Sequence, residues 1–482
     1  MKKIKLKQDI INEYSSLKEI ISFTFVGSFL DKENYSDIDI VIIVKNLNKE
    51  LFNILKSKIK NLNLKKYNIK KNLIINSSFG PLKYDYKKNI VFHLMIYDLE
   101  DHIKHTLTSP FTCYDWQRYK ASIGKNLSDL YPVFGISFDD FLMNDRGIKS
   151  YIKNLNNNQI SFKDLKFPNK KPLLEKKNFN INNDIAMAEF SYHIIKYLIS
   201  NLLKILNYKN KSFRSKKISL LIREIYKDSA TDMKSILNFY KILEDFKINN
   251  NSKNLPTYNF TKDITLKFIL KFKSYIKFLN NNLKKMIFMR HFKTSLSSNV
   301  FLGKKLNPPI KKKIKKSKEK YELVITSKLR RALQTGKIFG KELETNYLLN
   351  EIDYGSAEGM NIKELENSYP NILSKWKKGK DVRFPDGENH RQVMQRVSKF
   401  LKSLFIKNKN KILIVSHNVF LRCLIAKYYK IKTENIYKIK INYGQKFEFF
   451  KYKNKLIPNI SNKEVKKIFL NLNEVSNSIN PR

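Results

Sequence analysis

The chain has 482 residues, longer than a typical single domain, and this length predicts two or three folded units. Hydrophobic residues make up 42% of it and aromatic residues 13%, which is ample for folded cores rather than a disordered chain. Lysine and arginine total 94 against 43 acidic residues, so the formal net charge is +51.

A charge of this size has two interpretations. It fits a protein that binds nucleic acid or another anionic surface, and it also fits a composition rich in lysine, asparagine and isoleucine throughout. Lysine recurs in nearly every block of ten residues and no confined basic segment stands out. We therefore favour the second interpretation and expect no nucleic-acid partner, although a positive field would attract phosphorylated substrates.

The cysteines and the apolar segments indicate the compartment. Cys113 and Cys423 are the two cysteines, far apart, so the sequence has no disulfide framework or zinc-ligand spacing, which suits a reducing compartment. The N-terminus is basic but develops no apolar core of a signal peptide, and no apolar stretch approaches the length of a membrane span. We expect a cytoplasmic protein without a membrane partner.

The first elements predicted are a helix over 8–20, a strand over 23–26 and a second strand over 37–44. Gly27 and Ser28 form a turn directly after the first strand, where Gly27 lets the backbone approach a triphosphate and Ser28 can donate a hydrogen bond to it. Asp37 and Asp39 alternate with apolar residues, so both carboxylates lie on one face of the second strand. Two neighbouring carboxylates repel unless a cation lies between them, and Mg²⁺ prefers such oxygen ligands.

This stretch resembles the polymerase-β-like nucleotidyltransferase superfamily, whose motif is a hydrophobic strand, Gly-Ser, a spacer and Asp-x-Asp. The resemblance implies that Asp37 and Asp39 bind Mg²⁺, that Gly27-Ser28 is the phosphate-side turn, and that a nucleoside triphosphate is a partner. The family's third carboxylate lies on a later strand, predicted here at 89–98, where the chain has His93 instead. Asp98 and Asp85 are the acids nearest to that position.

The middle of the chain is predicted to be helical. Residues 100–180 combine short helical segments with polar loops, including Pro168–Pro172, and apolar stripes at helical spacing follow from 183, at 216–227 and at 232–247. A last helix at 261–280 ends in an asparagine run. A helical array behind a nucleotidyltransferase core is an analogy, and we place the domain boundary after this helix.

From residue 284 strands and helices alternate, which is typical of an α/β domain. Strands are predicted at 286–289, 322–325 and 411–415, with a lysine-rich helix at 309–320 and a helix that opens at Glu388. Each strand is followed at its carboxyl end by ionisable groups. Open α/β sheets bind ligands at that edge, so we expect two histidines and two arginines to converge on an anion there.

These motifs resemble the histidine phosphatase superfamily, with the phosphoglycerate-mutase-like fold. The matching segments are Arg290-His291, Ser327 through Ala332, Glu351 through Gly359, Gly387-Glu388 and Ser416-His417. The resemblance implies that His291 attacks phosphorus while Arg290, Arg331 and His417 hold the phosphoryl oxygens, and that Glu351 is the acid and then the base. Thr294, Ser327 and Glu358 are implied in substrate binding, with Glu358 as the alternative acid.

The C-terminal segment departs from the family in two places. Phe292 replaces a small residue after the nucleophile, where it could narrow the pocket or tilt the loop, and Lys293 replaces an acid or polar residue. The polar residue expected one turn later is Ser297 or Asn299. A strand pair near 436–452 and a loosely ordered polar tail complete the prediction.

Together the patterns predict a multidomain chain: an α/β nucleotidyltransferase-like domain at 1–125, an all-α region at 126–282, a three-layer α/β phosphoglycerate-mutase-like domain at 283–455, and a polar tail at 456–482. The expected function is metal-independent phosphomonoester hydrolysis of a small phosphorylated molecule through a phosphohistidine, with Mg²⁺-dependent nucleotidyl transfer to a small acceptor, such as a sugar phosphate, as a second activity. Two alternatives stay open. One is a nucleotide-binding regulatory protein with a degenerate transferase domain, and the other is a phosphoglycerate-mutase-type phosphotransferase, which we favour less because the segments between motifs are short.

Overall fold

A computed structural model of the chain describes residues 2–31, 35, 37–80, 88–133, 136–143, 145–169, 171–207, 215–249, 251–296, 299–311, 314–378, 380–429, 431–452 and 455–468. The chain divides into two compact units. The N-terminal unit comprises residues 1–136 and 140–278, and the C-terminal unit comprises 137–139 and 279–482. The domain boundaries proposed from the sequence stay predictions.

A mixed five-stranded sheet forms the centre of the N-terminal unit, in the order β3-β4-β2-β1-β5. Its strands are β1 (Ile20–Val26), β2 (Asp37–Val44), β3 (Asn72–Asn76), β4 (Asn89–Asp98) and β5 (Ile123–Gly124). β2, β3 and β4 run parallel, whereas β1 pairs antiparallel with β2 and β5. The predictions for β2 and β4 are confirmed to the residue, while β1 begins three residues earlier than predicted, at a buried isoleucine.

The N-terminal unit has helices around its sheet strands and further helices in the middle of the sequence. They are α1 (Lys2–Ser15), α2 (Ser28–Asp31), α3 (Lys49–Lys60), α4 (Leu99–Thr108), α5 (Pro110–Trp116), α6 (Leu127–Leu130), α7 (Phe138–Met143), α8 (Asp145–Asn156), α9 (Asp184–Asn207), α10 (Ser215–Ile225), α11 (Ala230–Asn249) and α12 (Tyr258–Asn282), with part of α7 and the end of α12 in the C-terminal unit. The first helix begins and ends earlier than predicted, because Leu6, Ile10 and Tyr14 form its buried face and the chain then turns into β1.

The expectation of an all-α middle region is wrong at residues 159–180. There β6 (Gln159–Asn169) and β7 (Lys171–Asn180) form an antiparallel hairpin, and the segment predicted as the Pro168–Pro172 loop lies at its tip. Two partly exposed ion pairs run diagonally between the strands, with Lys177 Nζ 2.8 Å from Asp164 and Lys166 Nζ 3.7 Å from Glu175. The register also places Ile160 opposite Phe179 and Leu165 opposite Leu174, and such apolar cross-strand pairs support a hairpin whose polar composition suggests loops.

A six-stranded sheet in the order β10-β9-β11-β8-β12-β13 forms the centre of the C-terminal unit. Its strands are β8 (Lys284–Arg290), β9 (Leu323–Thr326), β10 (Glu344–Thr345), β11 (Lys411–Ser416), β12 (Lys446–Tyr452) and β13 (Lys455–Pro458). β8 to β11 run parallel and β12 runs antiparallel to β8. Because Ser416 is in register with Arg290, and Val415 with Thr326, the residues that follow β8, β9 and β11 emerge at one edge of the sheet.

The helices of this unit are α13 (Arg330–Gly336), α14 (Ile362–Ser368), α15 (Pro370–Lys377), α16 (His390–Ile406), α17 (Asn418–Tyr429) and α18 (Asn462–Ile468). The helix predicted at 309–320 is wrong, because the described residues of this segment are irregular and Ile310 forms a backbone bridge with Thr294. Pro308 precedes the segment and Pro309 is its first residue, and its closely spaced lysines would repel one another along a helix.

Two predictions at the end of the chain also need correction. The strand pair lies at β12 and β13 rather than near 436–452, where the chain first forms a 3-10 turn at Thr433–Lys438. The predicted polar tail begins with the end of β13 and with α18, whose Val465 and Ile468 are buried, and its remainder lies outside the described residues. Among the helices described, none is long and apolar enough to cross a membrane.

Candidate active site

Strand register brings the two predicted catalytic histidines together. His291 follows β8 and His417 follows β11, and the backbone N–H of His291 donates to the Ser416 carbonyl over 3.0 Å. The N–H of Ser327, after β9, donates to the Val415 carbonyl over 3.2 Å. The two imidazole centroids are 5.0 Å apart, so the sheet edge holds two histidines within reach of one phosphoryl group.

His291 has the geometry of a nucleophile. Its Nδ1 lies 2.7 Å from the Phe292 carbonyl, which can only accept, so Nδ1 carries the hydrogen and Nε2 keeps its lone pair. Burial lowers the pKa of His291 well below its ordinary value, and the nearby Arg331 and Arg290 lower that pKa further. The imidazole is therefore neutral at neutral pH.

Arg290 contributes a partly buried cation whose Nε donor is unused among the described residues. One guanidinium nitrogen donates to the Ile441 carbonyl, and the group lies over the ring of Tyr443 at 3.8 Å from its centroid. The Nε atom of Arg290 is buried without a hydrogen-bond partner among the described residues. A buried, unsatisfied N–H is costly, and a phosphoryl oxygen would satisfy it. The ring centroid of Tyr443 lies 5.7 Å from that of His291. No sequence motif predicted Tyr443 as a site residue.

Arg331, His417 and Ser327 form a buried network. Arg331 is fully buried, and its Nε donates to His417 Nδ1 over 3.2 Å. Since an arginine can only donate, His417 Nδ1 accepts and its Nε2 carries the hydrogen. His417 Nε2 then donates to Ser327 Oγ over 2.6 Å. Burial and the adjacent Arg331 lower the pKa of His417 well below its ordinary value. His417 is thus a neutral hydrogen-bond donor.

Glu351 places a carboxyl group beside these cations. Its Oε1 accepts from the backbone N–H groups of Ile352 and Val419 over 3.1 and 3.0 Å, and no hydrogen bond within the described part of the chain engages Oε2. Burial raises the pKa of Glu351, which Arg331 partly opposes. A carboxyl group that holds its proton to higher pH can act as a general acid.

Arg396, which the sequence analysis missed, anchors the segment that carries Glu351. Its guanidinium forms a bidentate pair with Glu388, both distances being 2.8 Å, and it also donates to the carbonyls of Leu348, Asn350 and Glu351. Glu388 additionally accepts from the Asp353 N–H over 3.0 Å. An arginine eight residues after Glu388 was the available signal, since Glu388 directly precedes the helix cap Asn389 and Arg396 lies in the first half of that helix.

Several other residues predicted for the site make structural contacts instead. Thr294 is buried at its backbone bridge with Ile310, and the Glu358 carboxylate accepts from two backbone N–H groups rather than facing the histidines. Phe292 packs against the apolar cluster of the sheet and stacks on Phe339, with ring centroids 6.4 Å apart. The ring therefore packs into the core instead of narrowing the pocket. Ser297 lies outside the described residues, so the choice between it and Asn299 stays open.

In the N-terminal unit Asp37, Asp39 and His93 form a cluster whose candidate ligand atoms lie within 4.8 Å of one another. Asp39 is in register with His93 on the neighbouring strand, so the two side chains share a face. A Cβ at Gly27 would lie 2.5 Å from an oxygen of Asp39, and the φ of +76° also favours glycine there. Ser28 Oγ donates to Asp37 over 3.1 Å, where we expected it to face a triphosphate.

The two aspartates fit Mg²⁺, which proteins often bind through one or two carboxylates together with substrate phosphates. His93 fits less well, because its Nδ1 lies 2.9 Å from the amide nitrogen of Asn76 and Mg²⁺ prefers oxygen ligands. Asp98 caps α4 by accepting from the Asp101 N–H, and Asp85 lies outside the described residues. The candidate metal ligands are therefore two carboxylates, with a histidine where a third carboxylate was expected.

Comparison with known proteins finds similarity for part of the C-terminal unit. Residues 311–453 match the model of the histidine phosphatase superfamily (branch 1); this stretch includes Arg331, Glu351 and His417 and begins after Arg290 and His291. Human 6-phosphofructo-2-kinase/fructose-2,6-bisphosphatase 4 is 32% identical over 104 residues, which is 21% of this chain and 22% of the human protein. The Gallus gallus 6-phosphofructo-2-kinase/fructose-2,6-bisphosphatase is 28% identical over 154 residues, 32% and 31% of the two chains.

The chain thus spans about a fifth to a third of the length of the curated relatives it matches. Among solved structures, the alpha-ribazole phosphatase from Shigella flexneri is 21% identical with a TM-score of 0.34, covering 37% of this chain and 96% of that one. The mycobacterial glucosyl-3-phosphoglycerate phosphatase is 16% identical with a TM-score of 0.31, covering 34% and 89%.

Proposed function

Because the C-terminal unit carries a histidine phosphatase superfamily domain with the phosphoglycerate-mutase-like fold, we propose that it hydrolyses phosphomonoesters through a phosphohistidine at His291. The observation that carries this proposal is a set of five side chains at one sheet edge. Two buried, neutral imidazoles lie 5.0 Å apart, beside the buried guanidinium of Arg331, the partly buried guanidinium of Arg290 and the buried Glu351 carboxyl group. Such a set suits an anionic phosphoryl group, whose transfer needs a nucleophile, positive charge and a proton donor.

In the first step, Nε2 of His291 attacks phosphorus as the bond to the ester oxygen breaks. Arg290 and Arg331 stabilise the charge on the equatorial oxygens, and the Nε2–H of His417 exchanges its contact with Ser327 for a phosphoryl oxygen. Glu351 gives its proton to the leaving oxygen, so that an alcohol departs and a phosphohistidine and a carboxylate remain.

In the second step, the Glu351 carboxylate removes a proton from water while the water oxygen attacks phosphorus. The N–P bond breaks, the products are inorganic phosphate and free imidazole, and Glu351 is protonated again. The two arginines supply the positive charge in both steps, so the proposed cycle needs no metal ion.

The proposed substrate is a small phosphorylated molecule. The relatives named as fructose-2,6-bisphosphatases bear a similar segment, and we take from them the substrate class rather than the identity. Hydrolysis is favoured over intramolecular phosphoryl transfer because the segments between the motifs are short. A panel of phosphometabolites distinguishes the two, since a phosphatase releases inorganic phosphate whereas a mutase releases an isomer of its substrate.

The experiment that tests this proposal compares wild-type protein with His291→Ala and with Lys402→Ala, which changes an exposed lysine on α16. Wild type and Lys402→Ala should release phosphate from at least one substrate in the panel at equal rates, and His291→Ala should release none. Equal phosphate release by His291→Ala and wild type would overturn the proposal.

We propose, as a second function, that the N-terminal unit binds a nucleoside triphosphate with Mg²⁺ and transfers a nucleotidyl group to a small acceptor. The cluster of Asp37, Asp39 and His93 supports it, together with the tight approach of Gly27 to Asp39. When bound, the cation would neutralise triphosphate charge. Labelled NMP incorporation that requires Mg²⁺ and is lost in Asp37→Ala would support transfer, whereas triphosphate binding without incorporation would favour the regulatory alternative.

A further inference from the structure

Both carboxylate oxygens of Glu358 accept hydrogen bonds from one short loop, residues 303–306, called the 303–306 loop. Oε2 accepts from the Lys305 N–H over 2.9 Å, and Oε1 accepts from the Leu306 N–H over 2.6 Å. Hydrogen bonds from backbone N–H groups to an ionised carboxylate are among the stronger ones in proteins. The carboxylate therefore fixes the two backbone N–H groups of this loop.

The carbonyl side of the same loop holds Arg331. The Gly303 carbonyl accepts from one terminal guanidinium nitrogen over 2.7 Å, and the Leu306 carbonyl accepts from the other over 3.0 Å. The remaining nitrogen, Nε, donates to His417 Nδ1 over 3.2 Å. The orientation of the guanidinium plane, and with it the tautomer of His417, depends on where these two carbonyls lie.

The loop packs tightly against the Glu358 carboxylate. A Cβ built on Gly303 would lie 2.9 Å from Glu358 Oε2 and 2.8 Å from the Ile352 carbonyl, both closer than real Cβ contacts. Lys305 Nζ also donates to the Gly355 carbonyl over 3.2 Å. Displacement of the Glu358 carboxylate would therefore be transmitted to the carbonyls that hold Arg331.

We propose that Glu358 is a positioning residue for the phosphatase reaction, acting through the 303–306 loop on Arg331 and His417. The proposal rests on the proposed phosphatase function and replaces the alternative in which Glu358 is a proton donor. A positioning residue alters the binding of every phosphoryl group alike. A proton donor alters the reaction only where the leaving oxygen needs a proton.

The decisive variant is Glu358→Gln, which keeps the size of the side chain but turns an NH₂ group towards a backbone N–H. We expect the affinity for inorganic phosphate to fall about tenfold or more. The ratio kcat/KM should fall by the same factor for p-nitrophenyl phosphate and for an alkyl phosphate. The matched control is Glu364→Gln, since Glu364 also accepts a backbone N–H, from Asn361 over 2.7 Å, in a helix cap. This control should keep wild-type values.

A double-mutant cycle tests whether the effect passes through Arg331. In an Arg331→Lys background, which lacks the guanidinium fork, Glu358→Gln should change phosphate affinity less than twofold. If Glu358→Gln does not fold, as judged by circular dichroism, Gly303→Ala is measured instead and should give the same tenfold loss.

Three results would overturn the proposal: unchanged phosphate affinity in Glu358→Gln, a loss of activity confined to the alkyl phosphate, or a full effect in the Arg331→Lys background. The phosphate-binding assay needs no turnover. If wild type binds phosphate but hydrolyses nothing, the proposed function fails while the positioning role is still decided by the affinities.

Discussion

Replacement of Glu351 by glutamine is the sharpest test of the proposed proton donor. A glutamine side-chain oxygen can still accept from the N–H groups of Ile352 and Val419, so the local backbone is preserved. What the variant lacks is the proton. Glu351 is 5% exposed, and burial raises the pKa of its carboxyl group, so in the wild-type protein the protonated form persists to higher pH than in a free glutamic acid.

The size of the effect follows from the leaving group. General acid catalysis contributes about 10²–10⁴ in rate, or about 3–5 kcal/mol of activation free energy. An alkyl phosphate leaves as a strongly basic alkoxide and should lose this whole factor in Glu351→Gln. A p-nitrophenyl phosphate leaves as a stable anion, so formation of the phosphohistidine from it should be slowed less than about tenfold.

The pH dependence gives a second readout. With an alkyl phosphate, wild-type kcat/KM should fall as pH rises through the raised pKa of Glu351, because the acid form is lost, and the variant should lack this limb. Stopped-flow measurement of the first turnover on both substrates tests the reasoning. If Glu351→Gln slows both substrates by the same factor, Glu351 is not the proton donor.

Three further predictions concern other parts of the chain. Arg396→Lys, which breaks the bidentate pair with Glu388, should lower the free energy of unfolding of the C-terminal unit by about 1–3 kcal/mol in urea titrations and lower kcat more than it changes KM. Burial lowers the pKa of His102 from 6.5 to about 4, so its protonation should cost the N-terminal unit about 3 kcal/mol of stability as pH falls from 6.5 to 4. His102→Phe should remove that share and leave the share of His105, whose pKa burial also lowers to about 4; a pH slope equal to that of wild type would refute the prediction. Gly27→Ala should displace Asp39 and weaken Mn²⁺ binding, used as a paramagnetic probe, by tenfold or more, whereas equal binding would place the cation elsewhere.

Strand positions and the main site were predictable where the apolar pattern of the sequence matches the burial of the strands. β2 and β4 are continuous apolar strands with polar residues at their ends, so their bounds follow from the pattern. His291 and His417 follow buried strands, and parallel pairing of β8 with β11 brings them to one edge. That convergence is a property of the sheet rather than of any single motif.

What the sequence could not supply depends on contacts between distant segments. The β6–β7 hairpin depends on pairing between two strands whose composition resembles a loop. The role of Glu358 depends on a loop more than fifty residues earlier in the chain, and Tyr443 contacts Arg290 from a segment without a motif. The described residues of 309–320 are irregular because tertiary pairing of Ile310 with Thr294 prevails over their weak helical pattern.

The measurement that tests the central claim most directly is detection of the phosphorylated enzyme. Wild-type protein mixed with labelled p-nitrophenyl phosphate and quenched in alkali should carry acid-labile, base-stable phosphate on the peptide that contains His291. Glu351→Gln should accumulate more of it, because hydrolysis of the intermediate also needs the carboxylate. His291→Ala should carry none. Turnover by wild type without labelled His291, or label on another residue, would contradict the account.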